Sequence, residues 1–386
     1  MPPRVVVIGA GPMGMAAALG AIERGYETLV LERDDVGASL RHWGPTRFFS
    51  PLRMNLSPAM REVLGSELPP DEELLTGPQY ADLVLSALAR RDPLRARMRT
   101  HHVVLAIGRR GLTRGDYPGH PLRSEKPFRL LVDTPHGEEL LEADVVLDAS
   151  GGHGLPRPLG AGGLPARGES RFGGAVIRSL GSLHAQLEQL QGKRILIVGH
   201  GHSAANAIGA LEEIARRDPS TRVTWAVRTA NRRPCEDIAN DPLPERQRVV
   251  QRANDLAEDP PAFLRIERRS MLEGIEQNGS FDVTFTGGRR GEFDAIAAFT
   301  GYRPDSRHLS ELAVETSPVT EGSARLYRAI SSITDCLTVP QVRPADLQSG
   351  EPNFYFVGSR SYGRTRTFLI QTGLQQLETI LDSLPK

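Results

Sequence analysis

The stretch from Arg4 to Glu32 limits what this chain can fold into more than any other. Arg4-Val5-Val6-Val7-Ile8 is a short β-branched run, and it leads directly into Gly9-Ala10-Gly11-Pro12-Met13-Gly14 and an alanine-rich segment. That order predicts a strand, a tight turn and a helix. Gly9 lets the chain turn, Gly11 lets the backbone approach a pyrophosphate, and Gly14 lets the helix pack on the strand. Pro12 has no N–H to lose in a first helical turn, and that turn offers free N–H groups and a positive dipole end to phosphate. The next strand, Thr28-Leu29-Val30-Leu31, ends in Glu32, the spacing of a ribose-binding carboxylate. A carboxylate accepts from both ribose hydroxyls and repels a 2′-phosphate. This cradle therefore suits FAD or NAD and not NADP, with Met13 and Arg33 among its contacting residues.

A second unit of the same kind begins at Lys193-Arg194-Ile195-Leu196-Ile197-Val198, turns at Gly199-His200-Gly201-His202-Ser203-Ala204 and continues as a helix from Ala205 to Arg216. Ala204 replaces the third glycine, where only a small residue is needed. The strand that carries the ribose selector, Arg222 to Arg228, ends in arginine. A guanidinium binds a 2′-phosphate bidentately, so this second cradle favours NADPH over NADH.

Prolines and glycines crowd residues 156–165, and Thr300-Gly301-Tyr302-Arg303-Pro304-Asp305 marks a return crossing. The expected fold is therefore α/β with two Rossmann-like dinucleotide-binding domains, the FAD domain being discontinuous. Residues 1–160 form its first part, 161–300 the NAD(P)H domain and 301–386 its second part. The last segment supplies a strand at Asn353 to Gly358 and a helix from about Thr367 to Leu384.

Lys plus Arg equals Asp plus Glu at 47 each, so no net charge steers the chain toward nucleic acid or an anionic membrane. The runs Arg109-Arg110 and Arg289-Arg290 read as solvated loops. No apolar run reaches the roughly twenty residues that span a bilayer, and a soluble cytoplasmic protein, monomer or homodimer, is expected. Cys235 and Cys336 form no CxxC pair and no zinc cluster. The missing CxxC excludes the familiar dithiol relay of flavin disulfide reductases; the two read as isolated buried thiols, with a meeting in space left open by the sequence. His101-His102 reads as a strand start, and His200 and His202 as turn residues. No metal site is expected.

Between the cradles, Arg41, His42 and Trp43 follow the ribose strand and run along the dinucleotide toward its reactive ring. Phe48 to Pro58, with Arg53 and Asn55, resembles pocket lining. A helix is expected over Gln79 to Arg91, then strands at His102 to Ile107 (including Val104), Leu130 to Val132, Phe281 to Phe285 and Phe293 to Phe299. The Glu142 to Leu147 strand closes in Asp148-Ala149-Ser150-Gly151-Gly152, small residues that allow backbone to lie against a ligand. Asn240 to Arg246 opens a helix or lid.

Taken together, the first fingerprint with Glu32, the Asp148-Ala149-Ser150-Gly151 strand end, the GHGHSA turn, the Thr300 to Asp305 crossing and Phe356-Val357-Gly358 resemble the class B flavoprotein monooxygenases. These are the flavin-containing, N-hydroxylating and Baeyer–Villiger types, and the resemblance covers most of the chain. Phe172 to Ser179 resembles the FxGxxxHS signature with Arg178 at the histidine position, and Asn55 resembles an active-site asparagine near flavin and NADP. The resemblance implies FAD and NADPH as cofactors. The implied reaction inserts one oxygen of O2 into a small-molecule substrate through a flavin peroxide, with Asn55 and Arg53 catalytic. It further implies cofactor contacts from Ser150, Gly151, Gly301, Tyr302, Gly358 and Thr367. A second reading is an NAD(P)H-dependent flavin reductase or dehydrogenase without a dithiol. A third is a redox-sensing flavoprotein, whose expected interaction tail is missing.

Overall fold

The computed structural model describes residues 2–239, 241–331, 342–365 and 368–385. Two parallel sheets organise the chain. The first has five strands in the order Phe354–Phe356, Val145–Asp148, Arg4–Ile8, Glu27–Leu31, Met98–Arg99. Its register sets Val5 beside Thr28 on one side and Val145 on the other. Strands buried on both faces need apolar residues at successive positions, and the first strand supplies them. Val5 and Val7 pack with the Pro12–Glu23 and Ile370–Asp382 helices, whereas Val6 and Ile8 pack with Phe128, Leu130 and Val132. Those last residues belong to a three-stranded antiparallel sheet of Val103–Arg109, Phe128–Thr134 and Gly137–Ala143.

The second sheet repeats this plan. Its order is Leu264–Arg268, Arg222–Val227, Arg194–Val198, Ala295–Ala298, all parallel. Ile195 and Ile197 face the His202–Arg217 and Pro244–Glu258 helices. Leu196 and Val198 face a second antiparallel meander built from Leu272–Asn278, Ser280–Phe285 and Arg290–Phe293. The fold is thus α/β, two doubly covered parallel sheets, the first drawing its strands from both ends of the chain. The outbound and return connections run side by side, since Leu155–Pro156 pairs antiparallel with Tyr302–Arg303. Among the described residues no helix is long and apolar enough to cross a membrane.

Three expectations need correction or fall outside view. Phe293 to Phe299 is not one strand: Arg290–Phe293 ends the meander, and Ala295–Ala298 enters the parallel sheet. Asp294 makes the break, because its carboxylate accepts from the Arg194 backbone N–H at 2.8 Å and from the Arg194 guanidinium at 2.7 Å. The final helix begins at Ile370, and Thr367 lies outside the described residues, as does Cys336. Arg109 is not a solvated loop residue. It is buried, as is Arg123, and both point at Glu351, which is buried too.

Glu351 accepts from Arg109 Nε at 2.9 Å, from Arg123 Nε at 2.9 Å and from the Ala313 N–H at 2.8 Å. It therefore fastens the chain just ahead of the Phe354–Phe356 strand to the first meander. Removing one partner of a buried ion pair leaves uncompensated charge at a cost of about 3–5 kcal/mol. Glu351→Gln is expected to lower stability by about that amount in chemical denaturation, and a change within measurement error would show that the two guanidiniums find other compensation.

Candidate functional site

Each parallel sheet ends in a glycine turn at the start of a helix. Gly9 has φ +99° and Gly199 φ +113°, a region that favours glycine. A methyl group on Gly9 would stand 2.7 Å from the Ala149 carbonyl oxygen, and one on Gly14 would stand 1.9 Å from the Gly9 oxygen. These glycines are required by the protein itself. Gly11 and Gly201 are different. They have φ of −81° and −90° with extended ψ, which any residue adopts, and a methyl group on either would meet nothing within 4 Å among the described residues. Both helix starts also lack a side-chain cap, leaving first-turn N–H groups facing that open space.

Around the first turn, Glu32 accepts from the Ala10 N–H at 2.6 Å and from the Asp34 N–H at 3.0 Å. Burial pushes its carboxyl above the ordinary value, and the two N–H groups oppose that rise. The backbone of Glu32 is fixed by Arg99 and His102, two residues ahead of Val104, which packs on the core between the first sheet and its meander. Arg33 is half exposed and turns to Asp34. Arg41 turns away to Asp82 and to the Ser86 hydroxyl. Met13 fills the space beside Gly358 and Gly373, where a Cβ on Gly358 would lie 2.4 Å from Met13 Cγ. Gly151 and Gly358 both have positive φ, and Gly152 N–H donates to Ser359 Oγ at 3.2 Å. The structure thus gathers Gly9 to Gly14, Glu32, Ser150, Gly151 and Gly358 at one edge of the first sheet.

The second cradle holds Gly199, Gly201, His202, Ser203 and Ala204 at the start of the His202–Arg217 helix. Trp225, fully buried, donates from Nε1 to the Gly199 carbonyl at 2.6 Å and sets the turn. Arg228 is exposed just past the Arg222–Val227 strand, and among the described residues no carboxylate engages it. Its neighbour Arg233 is held by Asp237, Asp255 and Glu258.

The two cradles touch. Gly181 N–H donates to the His42 carbonyl at 3.0 Å, and a methyl group on Gly44 would meet Gly181 Cα at 2.8 Å. The Phe49 ring meets the His202 ring edge-on, centroids 5.2 Å apart. Trp43 stacks at a tilt on Phe48, 4.9 Å away. Gly301 has positive φ and leads to Tyr302, whose hydroxyl donates to the Arg178 carbonyl at 2.8 Å. Arg178 itself pairs with Glu169 at 2.8 Å. Asn55 is buried and committed to its own loop: its amide donates to the Ser50 and Pro51 carbonyls at 3.2 and 3.1 Å, and its oxygen accepts from the Ser50 hydroxyl at 2.9 Å. Arg53 is half exposed and pairs with Glu72.

Sequence reasoning placed Phe49 only within a general pocket-lining stretch and missed Arg360, buried against Asp148. The one signal for the latter was a carboxylate ending an otherwise apolar strand. Gly11→Ala is expected to leave the unfolding midpoint of the cofactor-free chain unchanged while weakening dinucleotide binding about tenfold or more, roughly 1.4 kcal/mol. Calorimetric titration with FAD checks this, and unchanged affinity would mean that the open space beside Gly11 holds no pyrophosphate.

Several solved structures share this architecture. Bacillithiol disulfide reductase Bdr (YpdA) from Bacillus cereus superposes with a TM-score of 0.68 at 16% identity, covering 99% of this chain and 98% of that one. The ornithine N-hydroxylase KtzI from Kutzneria sp. 744 gives 0.64 at 15%, covering 99% of each chain. The cadaverine monooxygenase DfoA from Erwinia amylovora gives 0.66 at 12%, covering 99% and 94%. At such identities the likeness is one of fold. No curated protein sequence matches the chain. The family model described as pyridine nucleotide-disulphide oxidoreductase matches residues 3–350, and the chain belongs to that family of oxidoreductases.

Proposed function

We propose that the protein is an FAD-dependent, NADPH-consuming monooxygenase of small molecules. The observation that carries this reading is the pair of cradles, each with a middle glycine facing open space, joined directly through Phe49 and His202. Gly9, Gly11, Gly14 and Glu32 would hold the FAD pyrophosphate and ribose, with Ser150, Gly151 and Gly358 beside its flavin half. Gly199, Gly201, His202 and Ser203 would hold the NADPH pyrophosphate, and Arg228 its 2′-phosphate. FAD held there would supply the redox chemistry: the two electrons of NADPH, passed on as hydride, together with protons from water, would let one atom of O2 go to the substrate and the other leave as water.

The chain's own residues support that chemistry by shape and exclusion. Asn55 and its partners Ser50 and Pro51 give the 50–55 loop a fixed form, so Asn55 shapes the pocket wall. Phe48, Phe49 and Trp43 put apolar rings along the segment that joins the cradles, where they would help to keep water from bound cofactors. Cys235 is buried in the second core, and the sequence has no CxxC pair, which favours electron transfer straight to a small acceptor. KtzI was solved with reduced FAD, NADP+ and L-ornithine, and DfoA with FAD, in keeping with this assignment.

A second reading is an NAD(P)H-dependent reductase that uses another acceptor. Arg178 favours it, because the guanidinium at the signature's histidine position is tied to Glu169 and to the Arg157 carbonyl at 3.0 Å. Measuring oxygenated product and hydrogen peroxide per NADPH across amines, sulfides and ketones separates the two. The monooxygenase reading expects a substrate whose product approaches one per NADPH, and peroxide matching NADPH with every substrate would overturn it.

Nucleotide preference has its own measurement. Arg228→Ala is expected to lower the NADPH to NADH ratio of kcat/KM about tenfold, the loss of one charge-assisted contact of roughly 1.4 kcal/mol. An unchanged ratio would remove Arg228 as the selector.

A further inference from the structure

The Val145–Asp148 strand is apolar until its last residue, and that residue is a carboxylate with no exposed surface. Asp148 lies between Ile8 and Phe356 in the sheet register. One ionised group therefore stands where three strand ends leave the sheet toward Gly9, Gly151 and Gly358. Arg360, equally buried, donates from Nε to Asp148 Oδ2 at 2.9 Å, and its guanidinium carbon lies 4.6 Å from the Phe356 ring centroid. Arg360 Nη2 also donates to the Ser306 hydroxyl at 2.9 Å, reaching the return connection. The other carboxylate oxygen accepts from the Ser150 hydroxyl at 2.6 Å and the Ser150 N–H at 3.1 Å. His308 Nε2 stands 3.4 Å from Oδ2.

Burial alone would raise the Asp148 carboxyl. The Arg360 guanidinium, then His308 and Ser150, more than offset this and hold it well below the usual carboxylate range. A buried ion pair is a poor source of net stability, because apolar residues of like volume hold a core as well or better. What it supplies is direction. Every hydrogen bond just described ends on a residue that fixes a strand end or the return connection. Ser359, beside Arg360, in turn receives the Gly152 N–H.

We propose that Asp148 and Arg360 are positioning residues of the FAD site, locking the Ser150 to Gly152 turn and the Ser359–Tyr362 helix into register with the Gly9 turn so that the flavin half of the dinucleotide is seated. This inference rests on the reading of the first cradle as the FAD site. Both side chains are fully buried and would act through Ser150, Gly152 and Ser359.

The test compares full-length wild type, the double variant Asp148→Leu/Arg360→Met, and Ser150→Ala. Each is stripped of cofactor, its unfolding midpoint measured, and FAD titrated back by fluorescence with the visible spectrum of the bound flavin recorded. The double variant is expected to keep the wild-type midpoint, to bind FAD about tenfold or more weakly and to show altered flavin band structure; Ser150→Ala should weaken FAD binding severalfold with its midpoint unchanged. A double variant that binds FAD with wild-type affinity and spectrum overturns the proposal. Should the double variant fail to fold, Ser150→Ala decides, and wild-type affinity and spectrum there overturn it equally. Wild type that takes up no FAD overturns the cofactor reading itself, and this proposal with it.

Discussion

Each cradle depends on one backbone contact that admits no side chain. In the first, the Cα of Gly9 lies against the carbonyl of Ala149, the residue just past the Val145–Asp148 strand. In the second, a methyl group on Gly199 would stand 2.3 Å from the carbonyl of Phe299, the residue just past Ala295–Ala298. In both cases the turn glycine has positive φ and wedges between its own strand and the neighbouring strand's exit. That wedge fixes where the following helix begins, and so where its unbonded N–H groups point. The middle glycine is then left facing empty space, which is what a ligand in close backbone contact requires.

The same arrangement explains why the third fingerprint position differs between the cradles. Gly14 lies directly over the Gly9 carbonyl, too close for a methyl group. Ala204 holds the equivalent place in the second cradle as a fully buried alanine. In the second cradle Trp225 Nε1 is hydrogen-bonded to the Gly199 carbonyl. An indole donor occupies the second turn's carbonyl, whereas helix backbone crowds the first.

Local pattern made the cradles legible, because strand, glycine turn and helix are contiguous and each constrains the next. The two α/β sheets, their helices and the return of a late strand to the first sheet could all be reasoned from spacing. Long-range electrostatics could not. Arg109 sits in a run that reads as a solvated loop, yet Glu351, 242 positions away, buries it. Asp148 looks like the polar end of a strand, and its partner Arg360 lies 212 positions on. In each case the partner is one charged residue among many, and no local period marks it. The split of Phe293 to Phe299 was hidden for a related reason. Both halves are apolar, and only the cross-strand grip of Asp294 on Arg194 divides them.

The polar side chains between the cradles also bear on what the fold can do chemically. Asn55 has its amide saturated by its own loop, and Arg53 and Arg41 are turned toward carboxylates. These side chains do not converge on a shared point as a general acid and base would. Such a site has little protein-borne acid–base chemistry and is suited to a cofactor that carries its own reactivity. On the proposed reading its demands are geometric, since two dinucleotides would have to be held at a fixed separation. The backbone contact of Gly44 with Gly181 and the ring contact of Phe49 with His202 join the cradles through short links, and short links leave little freedom for the separation to vary. A bulky residue at Gly44 or Gly181 would wedge the cradles apart while leaving each sheet intact, so the linkage between the two halves, and not either half alone, is where this architecture is most easily broken.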